Sequence, residues 1–161
     1  MTETASLDLM AEGYFRALER LFLEMQRGDA GPRGTFFPLF EALNWAATIA
    51  VETSPPIQND LLQGIRFARN RVHHDWGMAL RRSEWLNPSP LGITNRRGGS
   101  RLAGPVTLFS WTWVRVDELP EPQREDPVGE AAYVRCLAEK PAEETLQALR
   151  PVLENEVTRR A

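Results

Sequence analysis

Three consecutive segments of the chain carry apolar residues at steps of three or four, the spacing that places side chains on one face of an α-helix. The segments cover residues 7–25, 35–50 and 57–82. The apolar face of the first segment consists of Leu7, Met10, Tyr14, Leu18, Leu21 and Met25. Because the chain has 161 residues, the length of about one domain, the three faces predict a helical bundle with a single main core.

Residues that begin and end helices flank these segments. Ser6 can cap the first helix, and Gly28 is expected to end it. The second helix is predicted to begin at Thr35, with Pro38 tolerated in its first turn. The side chains of this helix that are predicted to face the core are Phe36, Phe40, Leu43, Ala47 and Ala50. The third helix is predicted over residues 57–82, with an apolar face formed by Leu61, Ile65, Ala68, Val72, Trp76 and Ala79.

The pattern changes after residue 88 to short extended segments. Residues 91–95 and 106–116 are separated by Arg96-Arg97-Gly98-Gly99, and this arrangement predicts a β-hairpin. The next segment, residues 117–128, is rich in Pro, Glu and Asp and is predicted to be a connector. In the second extended segment the aromatic residues Phe109, Trp111 and Trp113 alternate with other side chains, so they pack in the core, pack in a dimer interface or stack on bases.

Two further helices are predicted at the C-terminal end. Asp126-Pro127 can cap and begin the first, which continues through Ala131, Val134 and Leu137. Pro141 can begin the second, which contains Leu146, Leu149 and a possible kink at Pro151. We therefore predict a mainly α fold, a helical bundle in residues 1–88 with an appended β-hairpin, connector and C-terminal helices in residues 89–161, packed as one compact unit.

Composition and charge exclude several classes of protein. The net charge of −3 does not fit a strongly basic nucleic-acid coating protein. No apolar stretch approaches the length of about 18 residues that a membrane helix requires. The single Cys136 cannot form an internal disulfide, and the acidic N-terminus does not resemble a signal peptide, so a cytoplasmic protein is expected. Residues 66–101 contain eight arginines and two acidic residues, which makes the middle of the chain the basic part.

Residues 66–76 concentrate ionisable side chains, since they contain both histidines of the chain and three arginines. On a helical wheel centred on the apolar face, Asn70 lies at about 180° and His74 at about 220°. Arg69 lies at about 80° and His73 at about 120° on the same wheel. Both Asn70–His74 and Arg69–His73 are therefore i,i+4 pairs, and helix geometry does not choose between the two histidines.

The segment Arg69-Asn70-Arg71-Val72-His73-His74 resembles the R-x4–6-H signature of the HEPN superfamily, in the form with a polar residue directly after the arginine. The resemblance covers residues 6–84, and a motif on the third helix of a bundle is similar to the family architecture. It implies a metal-independent ribonuclease without a cofactor, frequently a toxin or defence effector, that forms a homodimer in which two motifs face one cleft. It assigns the catalytic roles to Arg69, Asn70 and His74.

The chemistry of RNA cleavage explains these residue types. Without a metal, the reaction needs a base for the 2′-OH, an acid for the leaving 5′-oxygen and positive charge beside the phosphorane. Histidine titrates near neutral pH, and a guanidinium offers a fork of donors to phosphate. His73 and Arg66 are auxiliary candidates. The weaker candidates for binding substrate phosphate are Arg71, Arg96 and Arg97.

Other interpretations of these residues stay open. His73 and His74 can be polar surface, and Arg69 can extend along the apolar face or pair with an acidic residue. A family member that has lost activity would be a dimerisation or binding module for RNA or a protein partner, such as an antitoxin or regulator. Trp76 stands where some family toxins carry a tyrosine that an antitoxin modifies, so that form of control is not expected. A structural zinc site is excluded, because it needs four Cys or His ligands and the chain has three.

Overall fold

The computed structural model describes residues 6–27, 32–87, 93–94, 100–101 and 106–161. The described part is mainly helical, with five α-helices and an antiparallel hairpin between the third and the fourth. The helices are α1 (Leu7–Arg27), α2 (Pro32–Glu52), α3 (Asp60–Val72), α4 (Pro127–Cys136) and α5 (Ala142–Arg160). The strands are β1 (Leu80–Asn87), β2 (Ile93–Thr94), β3 (Ser100–Arg101) and β4 (Val106–Trp113). This architecture confirms the predicted mainly α fold with a hairpin and C-terminal helices, and none of the described helices is long and apolar enough to cross a membrane.

Helix α1 buries most of the apolar face that the sequence predicted, whereas in the predicted face of α2 only Leu43 and Ala47 are buried and the other residues are half-buried. The buried residues of α1 include Met10, Tyr14, Leu18 and Leu21, whereas Met25 is exposed near the C-terminal end of the helix. Helix α2 begins at Pro32 rather than at the predicted Thr35, because proline is well suited to a first helical turn. Pro38 therefore lies inside the helix and not in its first turn. The predicted end at Gly28 lies outside the described residues.

The third helix is shorter than predicted. Asn59 caps its start, because the side-chain Oδ1 accepts hydrogen bonds from the backbone N–H groups of Leu61 and Leu62 at 3.0 and 3.3 Å. Helix α3 ends at Val72, ten residues before the predicted end at Arg82. Trp76 and Ala79 are nevertheless buried, because a short 3₁₀ turn carries the chain back to the core. The apolar spacing thus predicted which side chains are buried here but not the backbone that buries them.

The hairpin pairs different segments from those predicted. Strand β4 pairs with β1, so that Leu80 lies opposite Trp113 and Asn87 opposite Val106. The sequence pattern predicts the first residues of β1 in the third helix and pairs residues 106–116 with 91–95, and both predictions are wrong. Strand β2, which lies within residues 91–95, pairs with β3 instead. The predicted turn at Arg96-Arg97-Gly98-Gly99 lies outside the described residues.

The C-terminal helices begin where the sequence predicted. Helix α4 follows Asp126, whose Oδ1 accepts a hydrogen bond from the Gly129 N–H at 2.9 Å, and α5 follows Pro141. The buried face of α4 differs from the prediction, because Val134 is exposed while Tyr133 is buried. The Tyr133 hydroxyl donates to the Val114 carbonyl at 2.6 Å, which attaches α4 to the end of the hairpin.

Aromatic residues join the hairpin to the helices. Trp113 is completely buried, and its ring packs edge-on against Trp76 and Tyr133 with centroid separations of 6.2 and 6.1 Å. Trp111 packs against Phe36 at 5.0 Å. These contacts favour core packing over base stacking for Trp111 and Trp113.

Glu143, at the start of α5, is a buried carboxylate beside β4. It accepts a hydrogen bond from the Trp111 N–H at 3.0 Å and faces the Ser110 hydroxyl at 3.4 Å. Burial raises the pKa of Glu143 above its ordinary value and outweighs these hydrogen bonds. Because the folded state holds this proton more tightly than the unfolded state, the stability of the protein falls as pH rises from the unfolded pKa through the folded one.

Replacement of Glu143 by glutamine should remove the loss of folding stability that accompanies ionisation of the buried carboxyl group. The glutamine side chain keeps an oxygen for the Trp111 N–H, so we expect Glu143→Gln to gain thermal stability relative to the parent between about pH 4 and about pH 7. Thermal denaturation followed by circular dichroism measures the difference. The exposed Glu121→Gln is the matched control and should show no such trend. An equal change for Glu143→Gln at both pH values would contradict the prediction.

Candidate functional site

A cleft of about 560 Å³ lies between the C-terminal end of α3 and the connector that precedes α4. The α3 side is lined by six residues that the sequence singled out, namely Arg66, Arg69, Asn70, Arg71, His73 and His74. The opposite side is formed by residues 122–126. Arg96 and Arg97, the other predicted phosphate ligands, lie outside the described residues.

The backbone at the end of α3 determines where the two histidines lie. His73 adopts a left-handed conformation with φ 47° and ψ 46°, and its N–H donates to the Arg69 carbonyl at 2.9 Å. His74 also has a positive φ, of 74°. Glycine is the usual residue for this conformation at a helix end, and another residue type costs roughly 1 kcal/mol or more. Two successive histidines with this conformation favour a functional role for the segment, since such strain is concentrated at functional sites.

The bend after Val72 brings Arg69 and His74 together. One guanidinium nitrogen of Arg69, Nη2, lies 3.2 Å from Nε2 of the His74 ring. A guanidinium only donates, so this hydrogen bond requires a neutral imidazole with a free lone pair on Nε2. Neutral imidazole is also the form that accepts a proton in general-base catalysis.

This contact belongs to neither of the two i,i+4 pairings that helix geometry had left open. The expected i,i+4 pairing of Asn70 with His74 on one helical face is wrong, because α3 ends before His74. Within the described residues, the hydrogen bond between Arg69 and His73 is a backbone one and no side-chain hydrogen bond joins them, whereas the Arg69 side chain contacts the His74 ring. Asn70 is exposed in the last turn of α3 and lines the same cleft.

Arg71 makes structural contacts within the protein. It is largely buried, its Nε donates to the Pro120 carbonyl, and its Nη2 donates to the Leu119 carbonyl at 3.4 Å. Its guanidinium also lies over the Phe67 ring, 5.4 Å from the centroid. These contacts attach the connector to α3, and they favour a structural role for Arg71 over the predicted contact with substrate phosphate.

Sequence reasoning did not assign a site role to the connector. Gln123, Arg124 and Glu125 nevertheless line the cleft opposite the histidines. No local motif marks them, because their position depends on contacts between residues that are far apart in sequence. Nη2 of Arg66 lies 3.9 Å from an Asp126 carboxylate oxygen, which joins the second end of the connector to α3.

Positive charge exceeds negative charge in the cleft. Four arginines line it, at positions 66, 69, 71 and 124, against the carboxylates of Glu125 and Asp126. Asp126 is already engaged as the cap of α4. In the part of the chain that the structure describes, no group of three or more His, Cys, Asp and Glu side chains is arranged to hold a metal ion. The cleft can therefore attract an anionic ligand such as a phosphate group.

Comparison of the chain with protein-family models, with curated proteins and with solved structures found no match. The resemblance to the HEPN superfamily rests on residues 69–74 and stays a prediction. The main chemical feature of the cleft is the arginine–histidine pair at the end of α3, and the cleft carries an excess of positive charge.

Proposed function

We propose that this protein is a HEPN-like, metal-independent endoribonuclease whose site residues are Arg69, Asn70 and His74. The contact of 3.2 Å between Arg69 and His74 carries the proposal, because it places a permanent cation and an imidazole side by side in one cleft. A phosphodiester bound at Arg69 would bring its ribose 2′-OH close to the imidazole. Both groups are needed for cleavage of RNA by its own 2′-OH.

In the proposed reaction, Arg69 releases Nε2 of His74 when its guanidinium turns to the phosphate, and the freed Nε2 lone pair accepts the 2′-OH proton as the 2′-oxygen attacks phosphorus. Arg69 donates hydrogen bonds to the non-bridging phosphate oxygens as their charge increases. The bond from phosphorus to the 5′-oxygen then breaks, and a protonated histidine gives a proton to that oxygen. The products are a 2′,3′-cyclic phosphate and a free 5′-OH. Asn70, on the last turn of α3, orients the substrate or the His74 ring.

The proposal includes a symmetric homodimer. His73, His74 and Asn70 are exposed in the single chain, so the α3 side of the cleft can face a second copy. An isologous interface would place two copies of the motif across one cleft. The second copy would then supply the proton donor that the reaction needs in addition to the base.

The biological role that we propose follows from the resemblance alone. A ribonuclease of this class would act as a toxin or antiviral defence effector in the cytoplasm. An antitoxin or another regulatory protein would control it.

One observation favours a second candidate function. The carboxylates of Glu125 and Asp126 line the same cleft as the arginines and lower its attraction for RNA. A catalytically inactive HEPN-like module that binds a protein partner or RNA would tolerate these charges more easily than a nuclease would. Activity therefore has to be measured directly.

Incubation of the purified protein with single-stranded RNA in EDTA tests the proposal. We expect cleavage to continue in EDTA and to leave 2′,3′-cyclic phosphate ends, which mass spectrometry of the fragments identifies. Light scattering on the same preparation should give twice the 18.3 kDa chain mass. RNA that stays intact under all conditions would support the binding module instead. Activity that EDTA abolishes would exclude the metal-independent mechanism.

A further inference from the structure

The pairing of the arginines shows which cations remain available to a ligand. Ten of the fourteen arginines with a described side chain have a carboxylate within 3.9 Å, and Arg71 donates to backbone carbonyls. Among the described side chains, the arginines without such partners are Arg33, Arg69 and Arg124. Two of these three, Arg69 and Arg124, line the same cleft. They lie on opposite sides of it, one on α3 and one on the connector.

The connector that carries Arg124 is attached to α3 and α4 at both ends. At its start, the Arg71 guanidinium donates to the carbonyls of Leu119 and Pro120. At its end, Asp126 accepts from the Gly129 N–H and lies beside Arg66. Residues 121–125 between these attachments are all exposed. The connector thus holds Arg124 at the cleft, where the guanidinium makes no hydrogen bond or ion pair with the described residues.

We infer that Arg124 is a second phosphate-binding residue, which contacts a phosphodiester adjacent to the one held by Arg69. This inference rests on the proposed function. Arg69 already contacts His74 on the α3 side, so a cation on the other side serves a different phosphate of the same strand. The ligand class is accordingly the backbone of single-stranded RNA with at least two successive phosphates, and a mononucleotide would use only one side of the cleft.

Binding of an uncleavable RNA measures this contact separately from catalysis. The probe is a fluorescent single-stranded RNA of about ten nucleotides with 2′-O-methyl groups, since loss of the 2′-OH prevents cleavage. For a single strand, each neutralised phosphate contributes about 0.7 to the slope of log K against log salt. We expect Arg124→Gln to lower the slope by about 0.7 and to weaken binding about fivefold to tenfold at low salt.

Arg33→Gln provides a matched control. Arg33 is also exposed and without an ion pair among the described side chains, but it lies on α2 and does not line the cleft. Its replacement should leave the salt dependence and the affinity unchanged. Both substitutions remove one exposed positive charge, so the comparison separates a cleft contact from the effect of net charge. Circular dichroism should show that both variants keep the parent fold.

The outcomes for this inference and for the proposed function are distinguishable. If Arg124→Gln binds the probe like the parent, or if Arg33→Gln weakens binding equally, the inference that Arg124 binds a second phosphate is wrong. Cleavage of unmodified RNA by the parent would then still support the proposed function. If the parent binds the probe and depends on Arg124 but does not cut unmodified RNA, the contact is supported and the nuclease proposal fails. A parent protein that does not bind the probe overturns the inference.

Discussion

Replacement of His74 by alanine is expected to lower the rate of RNA cleavage by about 10²–10⁴-fold, because it removes the general base. Arg69→Ala should lower the rate by a similar order, since the developing charge on the phosphate loses its guanidinium. Both side chains lie at the cleft rather than in the core, so the fold should remain intact. Cleavage of a fluorescent RNA under single-turnover conditions measures the rates, and circular dichroism checks the fold.

His73→Ala is the control for this prediction. The His73 side chain lines the same cleft but makes no hydrogen bond with the Arg69 guanidinium within the described residues, so its loss should have a smaller effect on the rate. An inactive His73→Ala together with an active His74→Ala would reverse the assignment of the two histidines. If both variants cut RNA as well as the parent, the cleft is not the catalytic site and the binding module becomes the better explanation.

Truncation of Trp113 is expected to destabilise the protein by about 3–5 kcal/mol, the usual cost of replacing a buried tryptophan by alanine. The ring is completely buried, and its Nε1–H donates to the Thr145 hydroxyl at 2.9 Å. The same residue joins β4 to α5 and to the ring of Trp76. Because domains are stable by only about 5–15 kcal/mol, Trp113→Ala should unfold at a much lower urea concentration than the parent.

Two controls separate loss of packing from loss of an aromatic ring as such. Trp113→Phe keeps a ring in the core and should cost about 1–2 kcal/mol. Phe37→Ala removes a ring that is 66% exposed and should cost less than about 1 kcal/mol. Urea unfolding monitored by circular dichroism gives the three free energies. A Trp113→Ala variant as stable as Phe37→Ala would show that the hairpin does not contribute to the core as described.

Predictions from local sequence succeeded where neighbouring residues determine the structure. The starts of α4 and α5 follow from Asp126-Pro127 and from Pro141, because capping and the restricted φ of proline act within a few residues. The buried face of α1 follows from its spacing of three and four. The prediction was wrong for the end of α3, because buried Trp76 and Ala79 extend the apolar spacing beyond the helix.

The hairpin shows the limit of local patterns. Strand β1 contains Arg81, Arg82 and Glu84, and its sequence shows no feature that excludes a helix. It becomes a strand because β4 lies beside it, with Leu80 opposite Trp113 across more than thirty residues of chain. Strand propensity depends on such partners more than helix propensity does. Sequence reasoning therefore found a hairpin but paired the wrong segments.

The candidate site also depends partly on local sequence and partly on tertiary contacts. The sequence alone determined that both histidines and three arginines lie within residues 66–76, and the motif spacing favoured His74 as the partner of Arg69. Only the tertiary structure decided that these two side chains meet at 3.2 Å, since their contact depends on a left-handed bend after Val72. The tertiary structure also decided which segment forms the second side of the cleft. Arg71 positions the connector there by donating hydrogen bonds to carbonyls that lie 48 and 49 residues further along the chain. Contacts over that distance depend on how the whole chain packs, and no local pattern of residues encodes them.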